Sequence, residues 1–153
     1  MIAVLQRIYN ATVYADGELS GSVGRGLYIL LGVESEDTER DALLLAEKIS
    51  KLRIFSDENG KMNLSVKDID GEALVVSNFT LNANYSHGNR PDYLASAKPE
   101  LANALYERFK ALLSERIKRV ESGVFGADMR TEMATDGPVT IVMNSAVLGG
   151  KSK

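Results

Sequence analysis

Partly alternating apolar and polar residues open the chain. Residues 2–8 and 11–15 are short, β-branched segments of this kind, and Asp16-Gly17 follows them as a turn signal. Residues 27–33 form an apolar run of strand length, which is typical of a strand buried on both faces. The first part of the chain therefore predicts strands of a sheet.

Helical spacing follows these strands. Apolar residues at three- and four-residue steps predict a helix over about residues 37–52, which Ser35 or Asp37 can cap. The residues that share its inner face are Ala42, Leu45, Ile49 and Leu52. A second helix is predicted over about residues 98–118. Its inner side carries Leu101, Leu105, Phe109 and Leu112. We expect the first helix to lie on the sheet.

The remaining strands are short and are separated by turn residues. Asn59-Gly60 suits a hairpin between residues 53–55 and 62–66, and residues 73–77 predict another buried strand. Three further strands are predicted after the second helix: 120–125, 129–133 and 139–143. The residues that separate them are Gly123, Gly126 and Asp136-Gly137-Pro138. These patterns predict one α+β domain over residues 1–153, with many short strands and two principal helices.

Length and composition exclude several classes of protein. The 153 residues suit one domain, and 44% hydrophobic with 25% charged residues argues against global disorder. No apolar run approaches the roughly 20 residues of a membrane-spanning helix, and no basic segment precedes an apolar one at the start, so no secretory signal is expected. Without cysteine there is no disulfide, thiol nucleophile or cysteine-ligated metal. A reducing cytosol fits this composition best.

The charge is distributed unevenly along the chain. The formal net charge is −3, which does not suggest a protein that coats nucleic acid by charge alone. Residues 1–76 carry a net −5 and residues 77–153 a net +2. The basic residues that cluster late in the chain are Arg108, Lys110, Arg116, Lys118 and Arg119, with Lys151 and Lys153 at its end. Two interpretations stay open: a solvated helix face, or a local contact with phosphate.

Ordinary catalytic motifs are weak or missing. His87 is the single histidine and falls in a polar loop, so a His-rich metal site cannot be built. The residue types of a Ser-His-Asp triad are present, with Ser77 or Ser86 as the serine, but the sequence has no Gly-x-Ser-x-Gly motif to support such a triad. The glycine-rich segment 21–26 matches neither a dinucleotide-binding motif nor a P-loop and is interpreted as a turn between strands.

Two segments are unusual. At Ser77-Asn78-Phe79-Thr80 a buried strand turns polar, and backbone N–H groups freed there can face a developing negative charge. Alternatively, the hydroxyls simply satisfy backbone groups at the strand end. The second segment is Asp136-Gly137-Pro138, where proline removes a backbone donor at the expected start of a strand. From the sequence alone, a trans Gly-Pro bond is expected there.

Several segments together resemble the D-aminoacyl-tRNA deacylases of the bacterial and eukaryotic kind over nearly the whole chain. They are Gln6-Arg7, residues 53–57 with 60–63, residues 88–91, residues 123–129 and residues 136–140. The family's two motifs are Ser-Gln-Phe-Thr and Asn-x-Gly-Pro-x-Thr. This chain has Ser77-Asn78-Phe79-Thr80, with the shorter asparagine at position 78, and Thr135-Asp136-Gly137-Pro138-Val139-Thr140, with threonine at position 135.

The resemblance implies an α+β fold in which mixed or antiparallel sheets form a barrel-like, β-β-α layered core. It also implies a homodimer in which a Gly-cis-Pro element of one subunit enters the active site of the other. The site residues carried over are Ser77, Asn78, Phe79 and Thr80 of one chain and Gly137 and Pro138 of its partner, with Arg7 holding the Gly-Pro element and Met129 and Phe125 lining the pocket.

The activity implied is hydrolysis of D-aminoacyl-tRNA, with glycyl-tRNA also accepted. The terminal 2′-hydroxyl of the RNA would assist, and main-chain N–H groups near Phe79 and Thr80 would stabilise the oxyanion. The resemblance implies a cytoplasmic protein with no metal, no cofactor, no membrane and no DNA partner. Three alternatives stay open: a Thr80 nucleophile, a small-ester hydrolase that uses Ser77 or Thr80 with His87, and an RNA-binding dimer module without catalysis.

Overall fold

The protein, described by a computed structural model over residues 1–149, alternates strands with two principal helices. Its elements in chain order are β1 (Ile2–Ala15), β2 (Glu18–Val23), β3 (Gly26–Gly32), α1 (Glu39–Lys51), β4 (Phe55–Ser56), β5 (Met62–Leu64), β6 (Glu72–Ser77), a 3-10 helix (Phe79–Asn82), α2 (Pro99–Ser114), β7 (Arg119–Ser122), β8 (Met129–Asn144) and α3 (Ser145–Leu148). None of the helices in this range is long and apolar enough to cross a membrane.

Strand β1 is the centre of a six-stranded mixed sheet. On one edge it pairs antiparallel with β3 and then β2, and on the other edge it pairs with β8 along its whole length. Strands β3, β6 and β7 are parallel, so helices α1 and α2 lie in the connections between them. The Ser20 hydroxyl donates to the Ser122 carbonyl (2.9 Å), which draws β2 towards β7. The predicted barrel-like, layered α+β core is therefore confirmed.

The main core fills the space between the sheet and the two helices. Leu5 and Ile29 of the sheet, Leu45 of α1 and Phe109 of α2 are buried in it. Helix α1 is two residues shorter at its start than predicted, because Thr38 is the N-cap and donates both its backbone N–H and its hydroxyl to the Asp41 carboxylate. Neither of the two predicted caps, Ser35 and Asp37, holds that position.

Helix α2 ends earlier than predicted. It stops at Ser114 rather than at about residue 118, and β7 begins at Arg119. Its buried side chains are Leu105, Tyr106, Phe109, Leu112 and Leu113. Leu101, which was expected on the inner side, is 37% exposed, although it lies four residues before the buried Leu105, in the first turn of the helix.

An ionic network joins the start of β1 to the end of β8. The Met1 ammonium donates to Asp37 (2.5 Å) and to the Ser145 hydroxyl (2.7 Å), which in turn donates to Asp41 (2.8 Å). Burial raises the pKa of Asp37. Burial also acts to raise the pKa of Asp41, but hydrogen bonds from Thr38 and Ser145 outweigh it and hold that pKa below its ordinary value of 3.8. The ionised form of Asp41 is therefore favoured in the folded protein.

Two predicted breaks in the sheet do not occur. Residues 2–15 form one strand, and residues 129–144 form another that pairs with it. Asp136-Gly137-Pro138, predicted as a turn, is instead part of a bulge: the ladder steps from Gln6 opposite Thr140 to Ile8 opposite Thr135. The hairpin around Asn59-Gly60 is confirmed by the pairing of β4 with β5.

Candidate active site

A cavity of about 580 Å³ opens where β3 and β6 end. Its wall is completed by the 3-10 helix, the segment 93–97, the first turn of α2 and residues 125–129. Most of the lining is apolar and includes Leu31, Val33, Ala97, Ala102, Phe125 and Met129. Phe125 and Met129, which the resemblance places in the pocket, both lie in the wall of this cavity. Such a cavity favours a ligand with apolar surface.

The polar part of the lining is small and carries no acid, imidazole or amine. It consists of the side chains of Ser77, Asn78, Tyr93, Ser96 and Tyr106, all of which lie within the described residues. The Tyr106 hydroxyl donates to the Val75 carbonyl (3.0 Å), and burial raises the pKa of Tyr106 to about 12. A general base with a pKa near neutrality is therefore not part of this wall.

Asn78 organises the turn between β6 and the 3-10 helix. Its backbone N–H donates to the Leu31 carbonyl (2.8 Å), and its side-chain oxygen accepts from the Thr80 N–H (3.1 Å) and from the Thr80 hydroxyl. The shorter amide at position 78 thus makes a local cap. Both donors of Thr80 are occupied by it, and Thr80 does not line the cavity.

The N–H of Phe79 is left free by this arrangement. Phe79 is the first residue of the 3-10 helix, a position whose N–H has no intrahelical acceptor, and it finds no other acceptor within residues 1–149. The Phe79 side chain is 60% exposed at the cavity rim, with its ring edge-to-face against Tyr93 (5.0 Å between centroids). An unpaired donor beside an apolar cavity can stabilise negative charge that develops on a bound carbonyl oxygen.

Arg7 anchors the bulge in β8. Its guanidinium lies 3.1 Å from the Asp136 carboxylate and also donates to the Asp136 carbonyl (3.3 Å). A further N–H donates to the Ile54 carbonyl (2.7 Å). Both side chains are largely buried, at 10% and 15% exposure. Arg7 therefore restrains the residue directly before Gly137-Pro138.

Gly137 and Pro138 are exposed and do not line the cavity of their own chain. The Gly137-Pro138 peptide bond is cis, so the trans bond expected from the sequence alone is wrong and the cis bond implied by the resemblance is confirmed. Gly137 has φ +138°, and a Cβ there would lie 2.5 Å from the Val139 nitrogen, so another residue would be strained at this position.

His87 is not brought to the cavity. It lies in the exposed loop that the pairing of Asn84 with Asp92 closes, it is not part of the cavity lining, and it makes no hydrogen bond to Ser77 or Thr80. The described part of the chain also contains no group of three or more His, Asp or Glu that could hold a metal ion. The geometry therefore offers nothing for a histidine-assisted hydroxyl nucleophile.

The late basic cluster is paired within the chain. The ion pairs are Arg108–Glu39 (3.4 Å), Lys110–Glu107 (2.8 Å), Arg116–Glu47 (3.6 Å), Lys118–Asp70 (2.6 Å) and Arg119–Glu121 (3.1 Å). This arrangement favours a solvated face over a phosphate site. Lys151 and Lys153 fall outside the described residues.

Sequence reasoning missed three of the polar wall residues: Tyr93, Ser96 and Tyr106. Tyr106 could have been found, because it continues the three- to four-residue spacing of Ala102, Phe109 and Leu113. The segment that holds Tyr93 and Ser96 has no periodicity. It reaches the wall through long-range bonds such as Ala97 N–H to the Val33 carbonyl (3.0 Å).

Comparisons with known proteins find relatives over nearly the whole chain. A D-aminoacyl-tRNA deacylase of Anaeromyxobacter dehalogenans is 53% identical over 145 residues, which cover 95% of this chain and 97% of that protein. A solved structure described as c-Myc DNA Unwinding Element Binding Protein is 39% identical, with a TM-score of 0.88 over 94% of this chain and 98% of that one. A probable eukaryotic D-amino acid tRNA deacylase, 16% identical, shares the fold with a TM-score of 0.80 over 93% and 97% of the two chains.

The family model described as D-Tyr-tRNA(Tyr) deacylase matches residues 4–144, which include every part of the cavity wall. The match confirms the membership that the sequence predicted, and the matched range includes both segments in which this chain departs from the usual motif residues. The chain belongs to the D-Tyr-tRNA(Tyr) deacylase family of hydrolases.

Proposed function

We propose that this protein hydrolyses the ester bond of D-aminoacyl-tRNA and releases the free D-amino acid and tRNA. The observation that carries the proposal is the unpaired Phe79 N–H beside an apolar cavity whose lining has no carboxylate, imidazole or amine. Membership of the family, over residues 4–144, supports this substrate class. The enzyme would act in the cytoplasm, where aminoacyl-tRNA is used.

The cavity chemistry fits an ester substrate that supplies its own proton acceptor. Water attacks the ester carbonyl carbon, and the Phe79 N–H stabilises the oxyanion of the tetrahedral intermediate. The bond to the ribose oxygen then breaks, and that oxygen takes a proton. With no general base in the wall, the neighbouring 2′-hydroxyl of the terminal adenosine orients the water and relays the proton. The protein contributes placement and charge stabilisation.

Thr80 is a weaker candidate for the reacting group. Its hydroxyl donates to the side-chain oxygen of Asn78, and an amide does not act as a general base. Its N–H is also bonded to Asn78 (3.1 Å), so of the two expected oxyanion donors Phe79 is the one available. A nucleophilic threonine would need an adjacent base, which is absent from the cavity lining within residues 1–149.

Selection against L-amino acids is assigned to Gly137 and Pro138 of a partner subunit. Both residues are exposed, lie away from their own cavity and are held through Asp136 by Arg7. The outer edge of β8 pairs with no other strand of the described chain, which leaves it available to a second copy. A rigid main-chain element that one subunit of a two-fold dimer contributes to the other subunit's site would clash with the side chain of an L-amino acid. Glycine has no side chain to clash, so glycyl-tRNA would be hydrolysed.

The activity is tested with D-tyrosyl-tRNA, L-tyrosyl-tRNA and glycyl-tRNA in separate reactions that follow loss of the attached amino acid. We expect turnover of the D-tyrosyl and glycyl substrates and at least about 100-fold slower loss from the L-tyrosyl substrate, since a steric clash of about 3 kcal/mol suffices for that ratio. Equal rates on both tyrosyl substrates would overturn the chiral filter. Binding of tRNA without turnover would instead indicate the non-catalytic module.

The shared site is tested by subunit mixing. Ala127→Trp fills the cavity, and Pro138→Ala alters the Gly-Pro element that enters the partner's site. The homodimer of each variant is therefore expected to be inactive. In a mixed population, half of the dimers are hybrids and each hybrid has one intact composite site. We therefore expect recovery of about a quarter of the wild-type rate. No recovery after complete subunit exchange would place both elements in the same chain.

A further inference from the structure

Asn82 is a buried amide directly behind the cavity wall. It is the last residue of the 3-10 helix and is 6% exposed. Its side-chain nitrogen donates to the Val33 carbonyl (2.8 Å) and to the Ser96 hydroxyl (3.3 Å), whereas its side-chain oxygen is the one buried side-chain polar atom of residues 1–149 without a partner. A half-satisfied amide does not favour folding over an apolar side chain of similar shape. Its position therefore points to a role other than stability.

The Ser96 hydroxyl extends this contact to the proposed oxyanion donor. It accepts from Asn82 and donates its single proton to the Phe79 carbonyl (3.3 Å). Ser96 and Val33 both line the cavity, so the chain of bonds ties three separate parts of the wall together. These parts are the end of β3, the 3-10 helix and the segment 93–97.

Phe79 is thereby restrained from both sides. Before it, the Asn78 N–H is bonded to the Leu31 carbonyl (2.8 Å). After it, the Phe79 carbonyl is held by Ser96. With both flanking peptides fixed, the direction of the free Phe79 N–H is set by the sheet rather than by the exposed 3-10 helix alone. A preorganised donor is more effective than one that must be oriented during the reaction.

We propose that Asn82 and Ser96 form a positioning latch that fixes the Phe79 main chain, a role that rests on the proposed function. Neither residue touches the reacting atoms. The latch acts on the chemical step, so its loss lowers kcat more than it raises KM. Both residues lie outside the two sequence motifs. Their bonds hold the turn that the shorter Asn78 caps.

The test removes the latch at its exposed end. Ser96→Ala keeps the bond from Asn82 to Val33 and removes the link to Phe79, while Ser96→Thr keeps the hydroxyl. We expect kcat for D-tyrosyl-tRNA to fall about five- to tenfold in Ser96→Ala, with KM within about twofold, and to recover in Ser96→Thr. Ser114→Ala, which removes another hydroxyl bonded to a backbone carbonyl (2.9 Å), is the control and should match the wild type.

A second measurement is independent of activity. Amide hydrogen exchange at Thr80 and Leu81, whose N–H groups bond to Asn78, should be several-fold faster in Ser96→Ala and normal in Ser96→Thr and Ser114→Ala. Unchanged exchange, or an equal loss of kcat in the alanine and threonine variants, would overturn the latch. If the wild type shows no turnover of D-tyrosyl-tRNA, the proposed function fails and the exchange rates alone decide the latch.

Discussion

Replacing Arg7 with methionine removes the anchor of the β8 bulge while keeping a side chain of similar length. The guanidinium makes three charge-assisted contacts, to the Asp136 carboxylate, the Asp136 carbonyl and the Ile54 carbonyl. Breaking a buried ion pair costs about 3–5 kcal/mol, since the remaining carboxylate stays buried without a partner. Asp136 keeps 15% exposure, so we take the lower end, about 3 kcal/mol.

The assay is thermal and denaturant unfolding at fixed protein concentration. A loss of about 3 kcal/mol corresponds to a melting temperature lower by about 6–12 °C in a chain of this size. Lys118→Met is the matched control, because the Lys118–Asp70 pair is exposed and screened by solvent, so its loss should leave the melting temperature close to that of the wild type. Hydrolysis of D-tyrosyl-tRNA by Arg7→Met should also fall by about tenfold or more, because the Gly-Pro element loses its support.

The reasoning would be refuted if Arg7→Met melted within about 1 °C of the Lys118→Met control. Normal hydrolysis by a destabilised Arg7→Met protein would separate the two parts: the ion pair would then support the fold without positioning the Gly-Pro element. A double-mutant cycle with Asp136→Ala measures the coupling directly. We expect a coupling free energy of about 2 kcal/mol or more.

Three further predictions follow from contacts in the same molecule. Gly32→Ala should lower the unfolding free energy by about 1–3 kcal/mol, because its Cβ would lie 3.0 Å from the Asn82 side-chain oxygen; an unchanged denaturation midpoint would contradict this. Thr80→Ala should keep the hydrolysis rate within about threefold, since the hydroxyl only caps the turn; a loss of about 100-fold with a native circular dichroism spectrum would favour a threonine nucleophile. The lowered pKa of Asp41 stabilises the folded protein above the ordinary pKa of 3.8, and this stabilisation is lost as the pH falls through the pKa of the folded state. Urea unfolding should therefore show that the wild type is more stable than Asp41→Asn, by a difference that shrinks below about pH 4. A difference independent of pH would refute this.

Local patterns predicted the elements that bury one face. Helix α1 was expected over about residues 37–52 and occurs over Glu39–Lys51, because its apolar spacing alone determines where it can pack. Strands β3 and β6 followed from their continuous apolar runs. In each case the pattern that marks the element is carried by residues close together in the sequence.

Features that depend on distant partners could not be predicted from these patterns. Asp136-Gly137-Pro138 has the composition of a turn, and its place within a strand depends on Arg7, which lies 129 positions away. The cavity wall likewise includes Tyr93 and Ser96, which have no periodic pattern to mark them. The two site motifs were recognised through family resemblance, whereas the free Phe79 N–H became visible once the bonds of Asn78 were known.

The cavity is lined by hydroxyl groups, one amide and apolar side chains, and this lining affects how the protein responds to pH. The Tyr106 phenol, with a pKa of about 12, keeps its proton in any living cell, and no acid or amine borders the space in the part of the chain described by the structure. Acidification of the cell would therefore add no proton to a carboxylate or an imidazole of this lining. Hydrolysis of D-aminoacyl-tRNA would then depend on acidity through the stability of the fold, to which Asp41 contributes.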